Sequence, residues 1–260
     1  MRWSEPQQTM LQAMGLRLWQ PSGAAVGEAT AAAPQPAPNP VQMPAQMPAP
    51  VPAPVPVVVA DERGQAIATM DWPALRQAVV ACQACGLCNG RQQTVFGTGH
   101  ERADWMIVGE APGEQEDQQG EPFVGAAGRL LDRMLLALKL TREVSDSQRQ
   151  VYIANTLKCR PPRNRNPEPA ELAQCLPFLE RQVALIQPKL ILAMGRFAVQ
   201  SLLGSTEAIG KLRGRLHTWR GVPVVVTYHP AYLLRQPGEK GKAWDDLCLA
   251  ADAMDRARTP

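Results

Sequence analysis

Cys82, Cys85 and Cys88 form a C-x2-C-x2-C run, and Cys159 and Cys175 make a second, distant pair. Four thiolates drawn from two separated pairs suit either a structural zinc site or an iron–sulfur cluster, and spacing alone does not choose between them. The first group has three members of a ferredoxin run but lacks the fourth, and Cys248 stands alone in an apolar helical pattern that reads as core. Downstream of the first cysteines, Gly109-Glu110-Ala111-Pro112-Gly113 can cradle a phosphate or simply turn the chain; a phosphate-loop NTPase is disfavoured because no G-K-[ST] follows. Phe123 lies in the glycine-bounded loop Gly120–Gly125, placed either as buried core or as a platform on which a planar base can stack. Lys158, Arg160, Arg163 and Arg165 follow one another without an intervening acid, and Arg213, Arg215, His217 and Arg220 form a second basic stretch. Such runs are ordinarily solvated faces; two beside one crevice favour a track for a phosphate backbone.

Positioning these residues requires a scaffold, and the hydrophobic pattern supplies one. Trp105 to Val108, Val151 to Ala154, Leu190 to Met194 and Val222 to Thr227 are short, continuously apolar runs. Runs of that kind are strands buried on both faces, as in a parallel sheet. Helical patterns separate them, over Gly128 to Leu140, Pro169 to Ile186 and Arg196 to Leu203, and another follows over Ala243 to Arg256. Alternating strand and helix predicts an α/β domain with four parallel strands. Ligands bind such sheets outside the carboxyl ends of the strands. Here those ends read Gly109-Glu110, Asn155, Gly195-Arg196 and His229-Pro230, so a glycine-rich loop, an amide, a glycine–arginine pair and a histidine should converge on one crevice.

Composition divides the chain. Of its 25 prolines, ten fall between Pro34 and Pro56, in a Pro/Ala tract that reads as an extended spacer over 31–60. Ahead of it, over 1–30, Met10, Leu11, Met14, Leu18 and Trp19 recur at helical spacing and predict a short amphipathic helix. That helix either docks weakly on its own domain or binds a protein partner from a tether. Residues 61–260 then form the functional domain and carry the whole formal charge of +3. No stretch has the roughly 20 apolar residues of a membrane span, and Glu5, Gln7 and Gln8 do not suit a cleavable signal. A cytoplasmic location is therefore expected, in which cysteines serve as ligands before they serve as disulfides.

Taken together, GEAPGEQED at 109–117, GEPFVGAAGRLL at 120–131, NTLKCRPPRNR at 155–165 and HPAYLLR at 229–235 resemble the motifs of family 4 uracil-DNA glycosylases. These are the iron–sulfur members of the uracil-DNA glycosylase superfamily, and the resemblance runs from about Cys82 to the end of the last helix. It implies a three-layer αβα fold around the four-stranded parallel sheet and a [4Fe-4S] cluster on Cys82, Cys85, Cys159 and Cys175. It further implies a monomeric repair enzyme, nucleoid-associated while it works. Such an enzyme flips uracil from single- or double-stranded DNA, hydrolyses the N-glycosidic bond and leaves an abasic site, the strategy shared by base-flipping glycosylases.

Site roles follow from the same resemblance. Uracil would stack on Phe123, and the Asn155 amide, with both a donor and an acceptor, would read the base edge. Backbone groups around Glu110 and Ala111 complete the contacts to the base. His229 would stabilise charge at uracil O2, with Glu110 assisting electrostatically and Glu116 and Asn164 supporting the site. Related enzymes place a water-orienting aspartate where this chain has Ala111. Lys158, Arg160, Arg163 and Arg165 would bind DNA, with Leu233 or Leu234 as a minor-groove wedge and Arg235 near phosphate. Gln118-Gln119-Gly120 leads straight into the Phe123 loop without a basic, histidine-containing insertion, so ordinary turnover rather than covalent trapping is expected. Two other classes compete with this reading. A non-catalytic iron–sulfur nucleic-acid-binding accessory of a DNA polymerase would have no use for Phe123, Asn155 and His229 together. A redox protein using a nucleotide would need a dinucleotide fingerprint that the chain lacks. Cys88 is surplus to the implied ligand set, so Cys88→Ser should keep the visible absorbance of the cluster; loss of the chromophore in that variant alone would overturn the assignment.

Overall fold

The computed structural model describes residues 62–258; the N-terminal helix and the Pro/Ala spacer expected over 1–60 lie outside the described residues. In chain order the strands are β1 (Thr98–Gly99), β2 (Trp105–Gly109), β3 (Tyr152–Asn155), β4 (Leu190–Met194), β5 (Leu216–Trp219) and β6 (Val222–Thr227). The helices are α1 (Glu62–Thr69), α2 (Trp72–Val80), α3 (Glu114–Gln119), α4 (Ala126–Ala137), α5 (Pro169–Ile186), α6 (Arg196–Leu203), α7 (Ile209–Leu212), α8 (Pro230–Arg235) and α9 (Lys240–Arg258). Among the described residues no helix is long and apolar enough to cross a membrane.

The four apolar runs form the expected parallel core, and every residue of β2, β3 and β4 is buried. Their side chains alternate between two faces. Ile107, Ile153, Leu192 and Val225 pack with Leu131, Met134 and Leu135 of α4 and Trp244 and Leu247 of α9. Met106, Tyr152, Ile191 and Val224 pack with Leu179 and Val183 of α5 and Val199 and Leu202 of α6. Helices thus cover both faces, giving the three-layer αβα arrangement.

The sheet has six strands in the order β1-β3-β2-β4-β6-β5, because short antiparallel strands are added at both edges. The basic stretch before the last strand hides β5. Its residues alternate between exposed and half-buried rather than running apolar, and its hairpin to β6 turns through Arg220 (φ 48°) and Gly221 (φ 84°). Two consecutive positive φ values make the primed turn that suits strand twist, usually written Asn-Gly or Asp-Gly.

Register sets the function-bearing edge. Gly109 pairs with Asn155 across β2 and β3, and Met194 with Thr227 across β4 and β6, so the carboxyl ends of all four parallel strands finish side by side. From β2 the chain moves to β3 on one side, and from β4 it moves to β6 on the other. The switch point between β2 and β4 is where an open α/β sheet leaves a crevice.

One buried ion pair fastens the β6 end of that edge. Asp246 of α9 is fully buried and accepts from the Arg213 guanidinium at 3.0 Å and the Gly214 N–H at 3.1 Å, holding the segment between α7 and β5 against the last helix. Removing one partner of such a pair strands the other charge in the interior. Asp246→Ala should therefore lower the unfolding free energy by about 3–5 kcal/mol, read as a fall in guanidinium midpoint; an unchanged midpoint would show the pair to be dispensable.

Candidate active site

A crevice of about 750 Å³ opens at the carboxyl ends of the parallel strands. Glu110, Ala111, Phe123, Asn155, Gly195, Arg196 and His229 line it, so the strand ends singled out from the sequence do meet.

Two glycines create its inner wall. A methyl group added at Gly109 would strike the Asn155 side-chain oxygen and come within 2.5 Å of the Phe123 ring, so amide and ring close over the strand end only because no side chain stands there. Phe123 has a φ of 56°, a left-handed conformation that an aromatic residue seldom adopts. Gly128 in the first turn of α4 accommodates it, since a Cβ there would collide with the Phe123 carbonyl. The Phe123 ring then stacks on the His229 ring, with centroids 5.2 Å apart and planes 25° apart.

Asn155 is 2 % exposed, and its Oδ1 accepts no hydrogen bond from the protein. A buried acceptor left unpaired costs free energy that a correctly placed ligand N–H recovers. His229, at the N-cap of α8, accepts the Ala231 N–H on Nδ1 at 3.2 Å, which leaves the ring proton on Nε2. Burial, assisted by the nearby Arg235 charge, pushes its pKa down to about 4, so at neutral pH the ring is an uncharged donor. Burial pushes the Glu110 carboxyl up to about 7, with the Arg196 guanidinium pulling it back.

Glu116 fills a different role from one that touches a reacting atom. Its carboxylate accepts the Gly113 N–H at 3.0 Å, the Val124 N–H at 3.0 Å and the Gly125 N–H at 3.4 Å, tying the loop after β2 to the Phe123 loop. Sequence reading missed a parallel device one residue on. Asp117 is buried and accepts the Gln92 N–H at 3.0 Å, fastening the segment that follows the first cysteines. It also missed the far wall of the crevice, formed by Ala208 to Gly210, Tyr228 and Tyr232. A pair of tyrosines in an i, i+4 relation was the available signal; their rings lie 5.0 Å apart.

The basic residues divide. Lys158 is 1 % exposed and cannot reach a DNA backbone; it faces the protein interior. Leu233 is fully buried in the core beneath α8, whereas Leu234 is 44 % exposed, so of the two wedge candidates only Leu234 is at the surface. Arg160 donates to the Asn164 side-chain oxygen at 2.8 Å and lies 3.5 Å from Glu114. Arg165 is engaged by both oxygens of Glu171, at 2.6 and 2.9 Å. Arg163 is exposed, lifted by consecutive left-handed residues, Arg163 (φ 53°) and Asn164 (φ 55°). Asn164, Arg165 and Arg235 line the crevice. The second basic stretch does not open on it as a unit: Arg220, at the opposite end of β5, pairs with Glu180 of α5 at 2.5 Å.

Cys82, Cys85, Cys88, Cys159 and Cys175 line a single small cavity, all as free thiols. Cationic groups gather at it: Arg63 approaches Cys82 Sγ at 3.5 Å, Arg91 approaches Cys159 Sγ at 3.2 Å, and Lys158 is a lining residue. Burial pushes the Cys175 thiol up to about 12 and raises Cys159 as well. Among the described residues no three cysteine, histidine or carboxylate side chains converge closely enough to hold a single metal ion.

With this geometry in place, the comparisons with known proteins are decisive. The uracil DNA glycosylase superfamily model matches residues 96–248. A type-4 uracil-DNA glycosylase of Saccharolobus solfataricus is 44% identical over 182 residues, covering 66% of this chain and 82% of that protein. One of Pyrobaculum aerophilum is 39% identical over 200 residues, 74% of this chain and 99% of that protein, and one of Thermotoga maritima is 43% identical over 161 residues, 61% and 81% respectively. The chain belongs to the type-4 uracil-DNA glycosylases.

For a glycosylase of this type the two perturbed groups separate cleanly in pH. A Glu110 carboxylate with a pKa near 7 is lost as pH falls through that value, whereas His229 stays neutral until about 4. Single-turnover cleavage should therefore rise with pH through about 7 with a one-proton slope, and Glu110→Gln should flatten that limb. A rate that falls through pH 7 would instead make Glu110 an acid.

Proposed function

We propose that the protein excises uracil from DNA, binding the extrahelical base in the crevice and hydrolysing its N-glycosidic bond to leave an abasic site. The observation that carries this reading is the buried, unpaired Asn155 oxygen beside the stacked Phe123 and His229 rings. Uracil offers an N3–H donor and an O4 acceptor on one edge, complementary to the oxygen and the NH2 of an amide. Cytosine offers the reverse pattern at both positions, so an amide held in the orientation that pairs with uracil would leave polar groups unpaired against it. A carboxylate at 155 would supply acceptors only.

Bond cleavage leaves positive charge on the sugar and negative charge on the departing uracil. The neutral His229 Nε2–H is suited to donate to O2 as that charge develops, an electrostatic contribution made by a group already oriented by its Nδ1 contact. Glu110, ionised in the upper part of the neutral range, faces the same crevice and favours the cationic sugar. Glu116 acts as a positioning residue, holding the Phe123 loop against the loop that carries Glu110.

Cys82, Cys85, Cys159 and Cys175 would hold a [4Fe-4S] cluster. The donor set supports this: thiols that ring a cavity rather than converge on a point suit a polynuclear body, and metal cations favour the thiolate form of Cys159 and Cys175 that burial disfavours. When bound, the cluster supplies a structural crosslink between the segment before β2 and the loop after β3. The DNA contacts fall to Arg163, Arg235 and the Leu234 wedge, on uracil-containing DNA of either strandedness, with the protein acting as a cytoplasmic monomer. The partner envisaged for the N-terminal helix concerns residues outside those described.

The test is incubation with a uracil-containing oligonucleotide followed by alkali, with strand scission expected at the uracil. His229→Ala should retain binding and lose about 10²–10³ in single-turnover rate. No scission at enzyme excess would overturn the reading.

A further inference from the structure

Lys158 is the one residue of the basic run that the structure takes away from DNA, and its placement is unusual. It stands in a continuously buried stretch that begins with β3 and reaches Cys159. Its ammonium donates to the main-chain oxygen of Asn155 at 2.9 Å and to Gln182 Oε1 at 2.7 Å. Gln182, itself fully buried on α5, passes the contact on, donating to the Phe96 carbonyl at 2.9 Å and the Tyr152 hydroxyl at 3.1 Å. On its other side Lys158 lines the cysteine cavity with Cys159 and Cys175.

We propose that Lys158 is a positioning residue for uracil recognition, its ammonium locking the Asn155 backbone to the thiol-lined cavity so that the base-reading amide and the filled cavity behave as one rigid unit. This rests on the glycosylase reading and deepens it. The chemistry explains the residue type. An ammonium brings several N–H donors to one point, enough for a carbonyl and an amide oxygen at once, while the main-chain N–H of the same residue bonds the Cys175 sulfur on the cavity side. A methionine of similar length fills the space and makes neither of the ammonium's contacts. Asn155 presents its side chain from the last residue of β3, still in register with Gly109 of β2, and the clamp on its carbonyl adds a second constraint on where the unpaired Oδ1 points. Misplacement of a recognition group by a fraction of a bond length weakens a directional hydrogen bond steeply.

The test compares the full-length, cluster-loaded wild type with Lys158→Met on two otherwise identical duplexes, one carrying an uncleavable 2′-fluoro-deoxyuridine and one without uracil. Lys158→Met is expected to lose at least about tenfold of its preference for the uracil duplex while its affinity for the plain duplex stays within about twofold. Its visible absorbance should also bleach faster under a chelator. Gln182→Met, which leaves the ammonium but removes one of its oxygen partners, should shift the preference in the same direction by about threefold, and it decides the matter if Lys158→Met does not fold. An unchanged preference in a folded variant overturns the assignment. So does an equal loss on both duplexes, which would make Lys158 a phosphate contact. A wild type with no preference for uracil overturns the glycosylase reading and this assignment together, whereas a wild-type preference retained in the variants overturns this assignment alone.

Discussion

Everything at the crevice depends on a missing methyl group. At Gly109 the last residue of β2 lies against both the Asn155 amide and the Phe123 ring, and any side chain there would displace them. The register that pairs Gly109 with Asn155 makes this approach unavoidable once the parallel strands form. The gap is then filled by an aromatic held in a left-handed conformation, costing on the order of 1–2 kcal/mol for a residue with a Cβ. The surroundings hold it there through Glu116 on one side and the bare backbone of Gly128 on the other. Local strain kept at a ligand wall by an over-determined frame is the pattern expected where geometry must not relax.

Electrostatics act on that frame by exclusion of water rather than by added charge. The same burial moves Glu110 and His229 in opposite directions on the pH scale, because it disfavours whichever form is ionised. The result is a carboxyl poised near neutrality and an imidazole that stays uncharged beside it. A protonated His229 would bind a departing anion more strongly in bulk terms. A neutral, pre-oriented N–H instead avoids importing a third cation into a wall that already faces Arg196 and Arg235.

Much of this was legible in the chain. Continuous apolar runs give parallel strands because both faces must be buried, and strand ends in such a sheet converge whatever follows them; the crevice residues Glu110, Asn155, Arg196 and His229 needed no more than that. The edge strands were not legible, since the residue types of β5, Leu-His-Thr-Trp, do not alternate apolar with polar although their burial does, and its turn is not a customary dipeptide. Side-chain direction was also hidden. Leu233 and Leu234 are equivalent in composition, and only the docking of α8 decides which is buried. Lys158 reads as one more cation in a basic run, yet the strand carries it inward with Cys159. Burial in this stretch is set by β3 and α5 rather than by residue type.

The arginines show why a total charge says so little about nucleic-acid binding here. The chain's excess of three positive charges is small, and several of the arginines that looked available are held by acids: Arg165 by Glu171, Arg213 by Asp246 and Arg220 by Glu180. Those pairs fix local structure and contribute little long-range field. Arg163 instead projects from a turn whose two successive left-handed residues keep it clear of the surface, and Arg235 ends α8 beside the histidine. On the proposed reading, an exposed cation lining the crevice and another on the turn beside Asn164 would suffice to hold a phosphate chain near its mouth, without any need for a broadly basic protein.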